Sequence, residues 1–190
     1  MLKAAVTAVC ALGLAACATP AHPENHTPDM PEAAKPVPAE ASAIAHIIGG
    51  SGAQIGLARL KQGPHGVLME VTIDEGGLAP GWHGLHLHEK GDCSDVGTFT
   101  LSGGHHGKAE GKHGLMNPVG PEMGDLPNIW AGADGAAGYE AFTGLFELAP
   151  ALEGDGIALV IHQNRDDHLT QPIGGAGPRV ACAVIEADGS

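Results

Sequence analysis

Gly81-Trp82-His83-Gly84-Leu85-His86-Leu87-His88-Glu89 is the stretch whose reading decides the fold. Apolar residues alternate with histidines over its second half, which is the period of a strand and not of a helix. Successive side chains of a strand point to opposite faces, so His86 and His88 share one face, with Cβ atoms about 7 Å apart. Two imidazoles at that spacing can converge on one metal ion. His83 has the opposite parity and is expected to do a different job.

Further histidines follow in order along the chain. They are His105 and His106 in Gly103-Gly104-His105-His106, His113 in Lys112-His113-Gly114, and His162 closing Val160-Ile161-His162. Asp125 lies in Gly124-Asp125-Leu126-Pro127, and Gly174-Gly175-Ala176-Gly177-Pro178-Arg179-Val180-Ala181-Cys182 ends the set. One such histidine alone would read as a core or surface residue. Several at separate positions, together with an aspartate, suit a borderline metal such as copper or zinc.

Around these residues, apolar and β-branched runs recur between glycines. They predict strands over 43–48, 54–60, 66–73, 84–89, 128–133, 137–142, 157–162 and 180–185. No segment keeps a helical period over a normal helix length. Short strands separated by turn signals predict an all-β antiparallel sandwich or barrel. Two long stretches without strand character, 90–127 and 163–178, carry most of the candidate ligands and read as functional loops. Composition agrees. The 30 glycines and 14 prolines imply many turns, and aromatics at only 3% require a core of Val, Ile, Leu and Ala.

The formal net charge of −13 excludes a nucleic-acid partner, which needs clustered Lys and Arg, and adhesion to anionic lipid by charge. At the start of the chain, Lys3 and the apolar run 4–16 read as a secretory signal, too short for a comfortable membrane span. Leu14-Ala15-Ala16-Cys17 resembles the lipobox of bacterial lipoproteins, which predicts cleavage after residue 16 and lipidation of Cys17. The alternative is an ordinary signal cleaved near Ala16 or Ala18. Residues 17–41 are rich in proline and read as an extended tether. His22, His26 and Met30 within it are either solvated or a copper-collecting arm, and the domain occupies 42–190. With Cys10 removed and Cys17 lipidated, Cys93 and Cys182 remain, most simply as a disulfide in an exported protein.

Taken together, Gly84-Leu85-His86-Leu87-His88, Gly104-His105, Lys112-His113-Gly114, Gly124-Asp125-Leu126 and the run Gly174 to Cys182 resemble copper/zinc superoxide dismutases, in order and in spacing, over nearly all of 43–187. The resemblance implies an eight-stranded Greek-key barrel with long metal-binding loops. It also implies disproportionation of superoxide, the substrate, to dioxygen and hydrogen peroxide. Copper would be held by His86, His88, His105 and His162. Zinc would be held by His105, His113 and Asp125, with His105 as the shared bridge and proton carrier. Arg179 would guide the anion, Asp166 would link His86 to His113, and Cys93–Cys182 would be the family disulfide. Lys90, Lys112 and Arg165 are candidates for further positive charge.

One position departs from the pattern. The family has a third zinc histidine three residues before the aspartate, and here Glu122 stands there. Either Glu122 ligates zinc, or zinc is held weakly, with His106 as a substitute. The rival to the enzyme is a copper-buffering lipoprotein on the same fold, which would have no need of Arg179. The location implied is the periplasm, anchored through Cys17 to a membrane, the outer one given Ala18, as a monomer or homodimer.

Overall fold

The structure is a computed structural model, and it describes residues 41–189. Cys10, Cys17, His22, His26 and Met30 lie outside the described residues. Among those described, the strands in chain order are β1 (Ser42–Gly49), β2 (Gln54–Gly63), β3 (Gly66–Ile73), β4 (Gly81–His83), β5 (Leu85–His88), β6 (Ile129–Ala131), β7 (Ala137–Thr143), β8 (Ala158–His162), β9 (Arg179–Val184) and β10 (Glu186–Ala187). One helical turn, α1 (Leu148–Ala151), and a 3-10 turn over Thr100–Ser102 interrupt the loops.

One curled antiparallel sheet runs β5-β8-β9-β1-β2-β3-β7, with β10 also paired to β1. β1, β2 and β3 are sequential hairpin neighbours. The chain then leaves to place β5 at the opposite edge and returns with β7 beside β3. The return from β5 carries the long loop over 90–127, and the loop over 163–178 joins the sheet neighbours β8 and β9. The predicted all-β barrel or sandwich with eight strand regions is therefore what forms.

The strand expected over 84–89 is β5, and a further short strand, β4, which the sequence reading does not mark, precedes it. β4 pairs with β6 in a separate two-stranded ribbon, whereas β5 pairs with β8. The switch falls at Gly84, whose N–H donates to Asn164 O and whose carbonyl accepts from His162 N–H, both at 2.8 Å. A Cβ there would lie 2.8 Å from the Ala176 Cβ, so only glycine lets the chain turn between sheets under the loop.

Burial follows the period of two. In β1 and β3 alternate residues are buried, and the inward set includes Ala43, Ala45, Ile47, Val67, Met69, Val71 and Ile73. β5 and β8 are buried on both faces. Leu85 and Leu87 on β5, with Leu159 and Ile161 on β8, join the main core, and each such fully buried side chain contributes about 1.5–3 kcal/mol. The other face of β8 carries Ala158 and Val160, which pack with Phe99 and Cys182 beneath the loop that follows β5. His86 sits opposite Val160 and His88 opposite Ala158, so both histidines are on this outer face. The site is thus built on the outside of the sheet and closed over by loops.

Candidate metal centre

β5 is an edge strand, and its free side is covered by loop backbone. Leu87 N–H donates to Gly124 O, His106 N–H to Leu87 O and Glu89 N–H to Gly104 O, at 2.8–2.9 Å. Isolated bridges join His88 to His105 and His86 to Asp125. Covering the edge protects it from pairing with another chain and brings both loop ligands to the strand histidines. Gly124 is required by this approach, because a Cβ there would collide with the Leu87 carbonyl.

His86, His88, His105 and His162 meet with one ring nitrogen each within 4.8 Å of the others, all four residues buried. Those nitrogens are His86 Nδ1, His88 Nε2, His105 Nε2 and His162 Nε2, and each lacks a hydrogen-bond partner. A buried ring nitrogen without a partner is costly unless something else meets its lone pair. The opposite nitrogens are all engaged. His86 Nε2–H donates to Asp166 Oδ2 (2.7 Å), His88 Nδ1–H to Gly103 O (3.0 Å) and His162 Nδ1–H to Gly177 O (2.9 Å). These bonds fix each tautomer so that a lone pair faces the common point. Burial lowers the pKa of His86 to about 4, against the pull of its Asp166 hydrogen bond. Burial and then the Arg179 charge lower His88 to about 2, and burial and then His86 lower His162 to about 3. The rings are therefore neutral ligands. Four imidazoles converging on one point fit copper.

A second set shares His105. Its Nδ1 lies 2.8 Å from Glu122 Oε2 and 3.5 Å from Asp125 Oδ1, and His113 Nδ1 lies 2.8 Å from Asp125 Oδ1. The four donors lie within 4.8 Å of one another and all four residues are buried. Backbone aims each carboxylate. Ala109 N–H donates to Glu122 Oε1 (3.0 Å), while Gly114 N–H and Glu122 N–H donate to Asp125 Oδ2 (2.7 and 2.8 Å). Two imidazoles and two carboxylates are a donor set that zinc accepts. Only His105 presents a nitrogen to each set.

Asp166 ties the two sets together. Its Oδ2 accepts from His86 and its Oδ1 lies 3.3 Å from His113 Nε2. Burial opposes the Asp166 charge, but hydrogen bonds from His113 and His86 outweigh it and hold its carboxyl well below the usual range. Burial likewise opposes charge on His113, and its bonds to Asp125 and Asp166 raise it to about 10. Gly174 packs against this pair in the left-handed region, with φ +58. A Cβ there would fall on Asp166 Oδ1 and within 3.0 Å of His113 Nε2.

An open cavity over the first set is lined by His88, His105, His162, Lys108 and Arg179. Cys93 and Cys182 form a disulfide spanning 89 residues, with a Cα–Cα distance of 5.8 Å.

Of the residues singled out in the sequence, all the proposed ligands, Asp166, Arg179 and the two cysteines are brought together. His106 is not: its ring packs against Phe146 at 5.9 Å, and it belongs to neither donor set. His83 lies between the carbonyls of His162 and Ala79, pinning the end of β8 to the loop before β4. Lys90, Lys112 and Arg165 do not line the cavity, and Arg165 instead lies 5.6 Å over the ring of Trp82. The lining cation besides Arg179 is Lys108, three residues after His105. Asn128 also escaped sequence reasoning. Its side-chain amide brackets the Asp166 backbone, accepting its N–H and donating to its carbonyl, both at 2.9 Å.

Comparison with known proteins agrees with this geometry. The copper/zinc superoxide dismutase family description matches residues 54–185. The chain is 48% identical over 152 residues to a Cu-Zn superoxide dismutase of Caulobacter vibrioides, covering 76% of this chain and 86% of that one. It is 33% identical over 186 residues to a superoxide dismutase-like protein of Bacillus subtilis, covering 92% and 91%. Among solved structures, the Cu/Zn superoxide dismutase of Brucella abortus aligns with a TM-score of 0.63 at 29% identity, covering 76% of this chain and 99% of that one.

Proposed function

The chain belongs to the copper/zinc superoxide dismutase family, and we propose from that premise the residues through which it disproportionates superoxide to dioxygen and hydrogen peroxide. Its copper ligands are His86, His88, His105 and His162. Its zinc ligands are His105, His113, Asp125 and Glu122. The observation that carries this assignment is the set of four buried imidazole nitrogens, unpartnered and aimed at one point, under a cavity that Arg179 lines.

When bound, copper supplies a one-electron couple and zinc, which has no redox chemistry, a fixed charge. The chain's residues do the rest. Arg179 presents a permanent cation where a monoanion docks, and Lys108 adds a second positive charge at the rim. His105 Nε2 faces the cavity side of the site and is the atom at which a proton is held for delivery to the peroxide product. Its Nδ1, between Glu122 and Asp125, keeps the ring in place while that proton comes and goes. Asp166 holds His86 and His113 in the tautomers that present Nδ1 to each set. The Glu122 carboxylate supports the reading that the second site takes zinc with one more negative charge than a third histidine would bring.

The full chain loaded with copper and zinc is expected to remove superoxide at a rate proportional to its copper content. Arg179→Ala should lose most of that rate with copper content unchanged. Stoichiometric copper with negligible turnover in the wild-type chain would leave only a copper-holding protein.

Ahead of the enzyme domain over 42–190, the reading is a signal at 1–16, a lipid on Cys17 and a tether over 17–41. The protein would then sit in the periplasm, on the outer membrane, as a monomer or homodimer. Radiolabelled palmitate incorporated by the wild type and not by Cys17→Ser tests the anchor, and light scattering of the purified protein tests the assembly.

A further inference from the structure

Ser102 belongs to neither donor set, yet its side chain is fully buried beside the first. Its hydroxyl donates to the Phe99 carbonyl (2.8 Å) and accepts from Arg179 Nη1 (3.0 Å). His88 Nδ1 lies 3.3 Å from the same oxygen. Because His88 Nε2 faces the metal point, Nδ1 carries the ring proton. That proton is directed mainly at Gly103 O (3.0 Å) and secondarily at Ser102 Oγ. Gly103 O in turn accepts from Arg179 Nη2 (2.6 Å). The guanidinium and the imidazole therefore share two acceptors. A hydroxyl has one proton and two lone pairs, and here all three are used.

Phe99 adds an independent observation. It is a buried non-glycine residue in the left-handed region, with φ 51 and ψ 29. Such a backbone is strained and persists only where its surroundings over-determine it. Its carbonyl, aimed inward by that conformation, accepts from Arg179 Nη1 and from the Ser102 hydroxyl. The strained peptide, the serine and the arginine form one unit facing the cavity.

We infer that Ser102 is a positioning residue for the incoming anion: its hydroxyl sets the Arg179 guanidinium relative to the copper ligand His88. The inference rests on Arg179 being the group that receives the anion. An alanine at this position would remove one of three acceptors from the guanidinium and one of two donors from the Phe99 carbonyl. It would remove none of the metal-facing atoms of either donor set, and His88 would lose only its secondary 3.3 Å contact while keeping Gly103 O.

The test uses the full chain loaded with copper and zinc. Azide is the probe, a small monoanion whose binding to copper(II) is read by a new charge-transfer absorption. Ser102→Ala should weaken azide binding about two- to tenfold, the size of one ordinary intramolecular hydrogen bond, because two carbonyls still hold the guanidinium. Arg179→Ala should weaken it more, and adding Ser102→Ala to Arg179→Ala should change nothing further. Wild-type azide affinity in Ser102→Ala, or the same loss in both backgrounds, would overturn the inference while leaving the docking role of Arg179 intact. Unchanged affinity in Arg179→Ala would overturn that docking role and the inference with it. A measurement on the wild type needs no variant to fold. In the diamagnetic copper(I)/zinc protein, the Ser102 hydroxyl proton should exchange slowly and show nuclear Overhauser contacts to the Arg179 side-chain N–H protons. A hydroxyl that exchanges at the rate of solvent-exposed serines would equally overturn the inference.

Discussion

Replacing both halves of the disulfide, as Cys93→Ala with Cys182→Ala, tests how far the loop after β5 depends on its crosslink. The bond closes a loop of 89 residues. Releasing a loop that long in the unfolded chain costs about 4–5 kcal/mol of stability. In a domain of this size each kcal/mol moves the midpoint by about 2–4 °C, so the metal-free protein should melt about 10–20 °C lower. Some further loss comes from packing, because Cys182 is fully buried among Phe99, Ala158 and Val160. The metal-free form is the right one to melt, since bound metal adds its own stabilisation by mass action. The loop has a second role. Cys93 precedes the carbonyls of Phe99 and Gly103 that hold Arg179, and Cys182 lies three residues beyond Arg179 on β9. The bond therefore pins the acceptors to the donor, and in the metal-loaded variant turnover should fall further than copper content does. Differential scanning calorimetry, metal analysis and a superoxide assay on the same samples provide the readout. A shift below about 3 °C, with the wild-type bond confirmed by mass, would refute the claim that unfolded-state closure governs this loop's stability.

Gly174→Ala should reduce both copper and zinc affinity about 10- to 100-fold in competition titrations, because its Cβ would displace Asp166 from His86 and His113. Glu122→His should change zinc affinity measurably by isothermal titration, since it replaces an anionic ligand with a neutral one; equal affinities would show that Glu122 does not perturb the site. Lys108→Glu should slow the enzyme most at low ionic strength, so the rate-versus-salt curve flattens or inverts; an unchanged curve would remove Lys108 from steering. The metal-free protein should lose stability as pH falls from 6.5 toward 4. Burial holds His86, His162 and His88 at about 4, 3 and 2, so the unfolded chain takes up protons first and each ring contributes up to about 1.4 kcal/mol per pH unit. His113, raised to about 10, acts in the opposite sense near pH 6.5, where the unfolded ring is only about half protonated, and adds no slope below about pH 5.5, so the three depressed rings outweigh it. A urea midpoint that stays constant from pH 7 to 4.5 would show that these rings are not buried in the metal-free form.

How much of this is legible in the sequence depends on whether a side chain or the backbone carries the job. Alternation along 84–89 puts His86 and His88 on one face, and that much follows from a period of two. The break at Gly84 does not, because it depends on Ala176 arriving from a loop distant in sequence. Ligand identity is written in side chains, so His105, His113, Asp125 and His162 can be marked before any fold is known. Ligand aim is set largely by carbonyls and N–H groups: Gly103 O and Gly177 O orient two rings, and Ala109 N–H and Gly114 N–H orient two carboxylates. Every residue carries such groups, so nothing in the sequence marks which ones matter. The cations show the same limit. Arg165, Lys90 and Lys112 lie as near to ligands in sequence as Lys108 does, but a turn at Gly107, with φ 65, sends only the segment with Lys108 back over the cavity.

The arrangement also explains why a loop-borne site can be as rigid as one built on strands. β5 offers one edge to β8 and the other to loop backbone at Gly104, His106 and Gly124, so the loop ligands are held by ladder-like hydrogen bonds. Asp166, Asn128 and the Cys93–Cys182 bond fasten the second loop and the far end of the first. The four ring nitrogens of the first set stay free of protein partners, because in each ring it is the opposite nitrogen that the protein engages. A site held this way keeps its lone pairs pointed at one place before metal arrives, and the reorganisation that would otherwise oppose metal binding and slow each catalytic cycle is removed in advance.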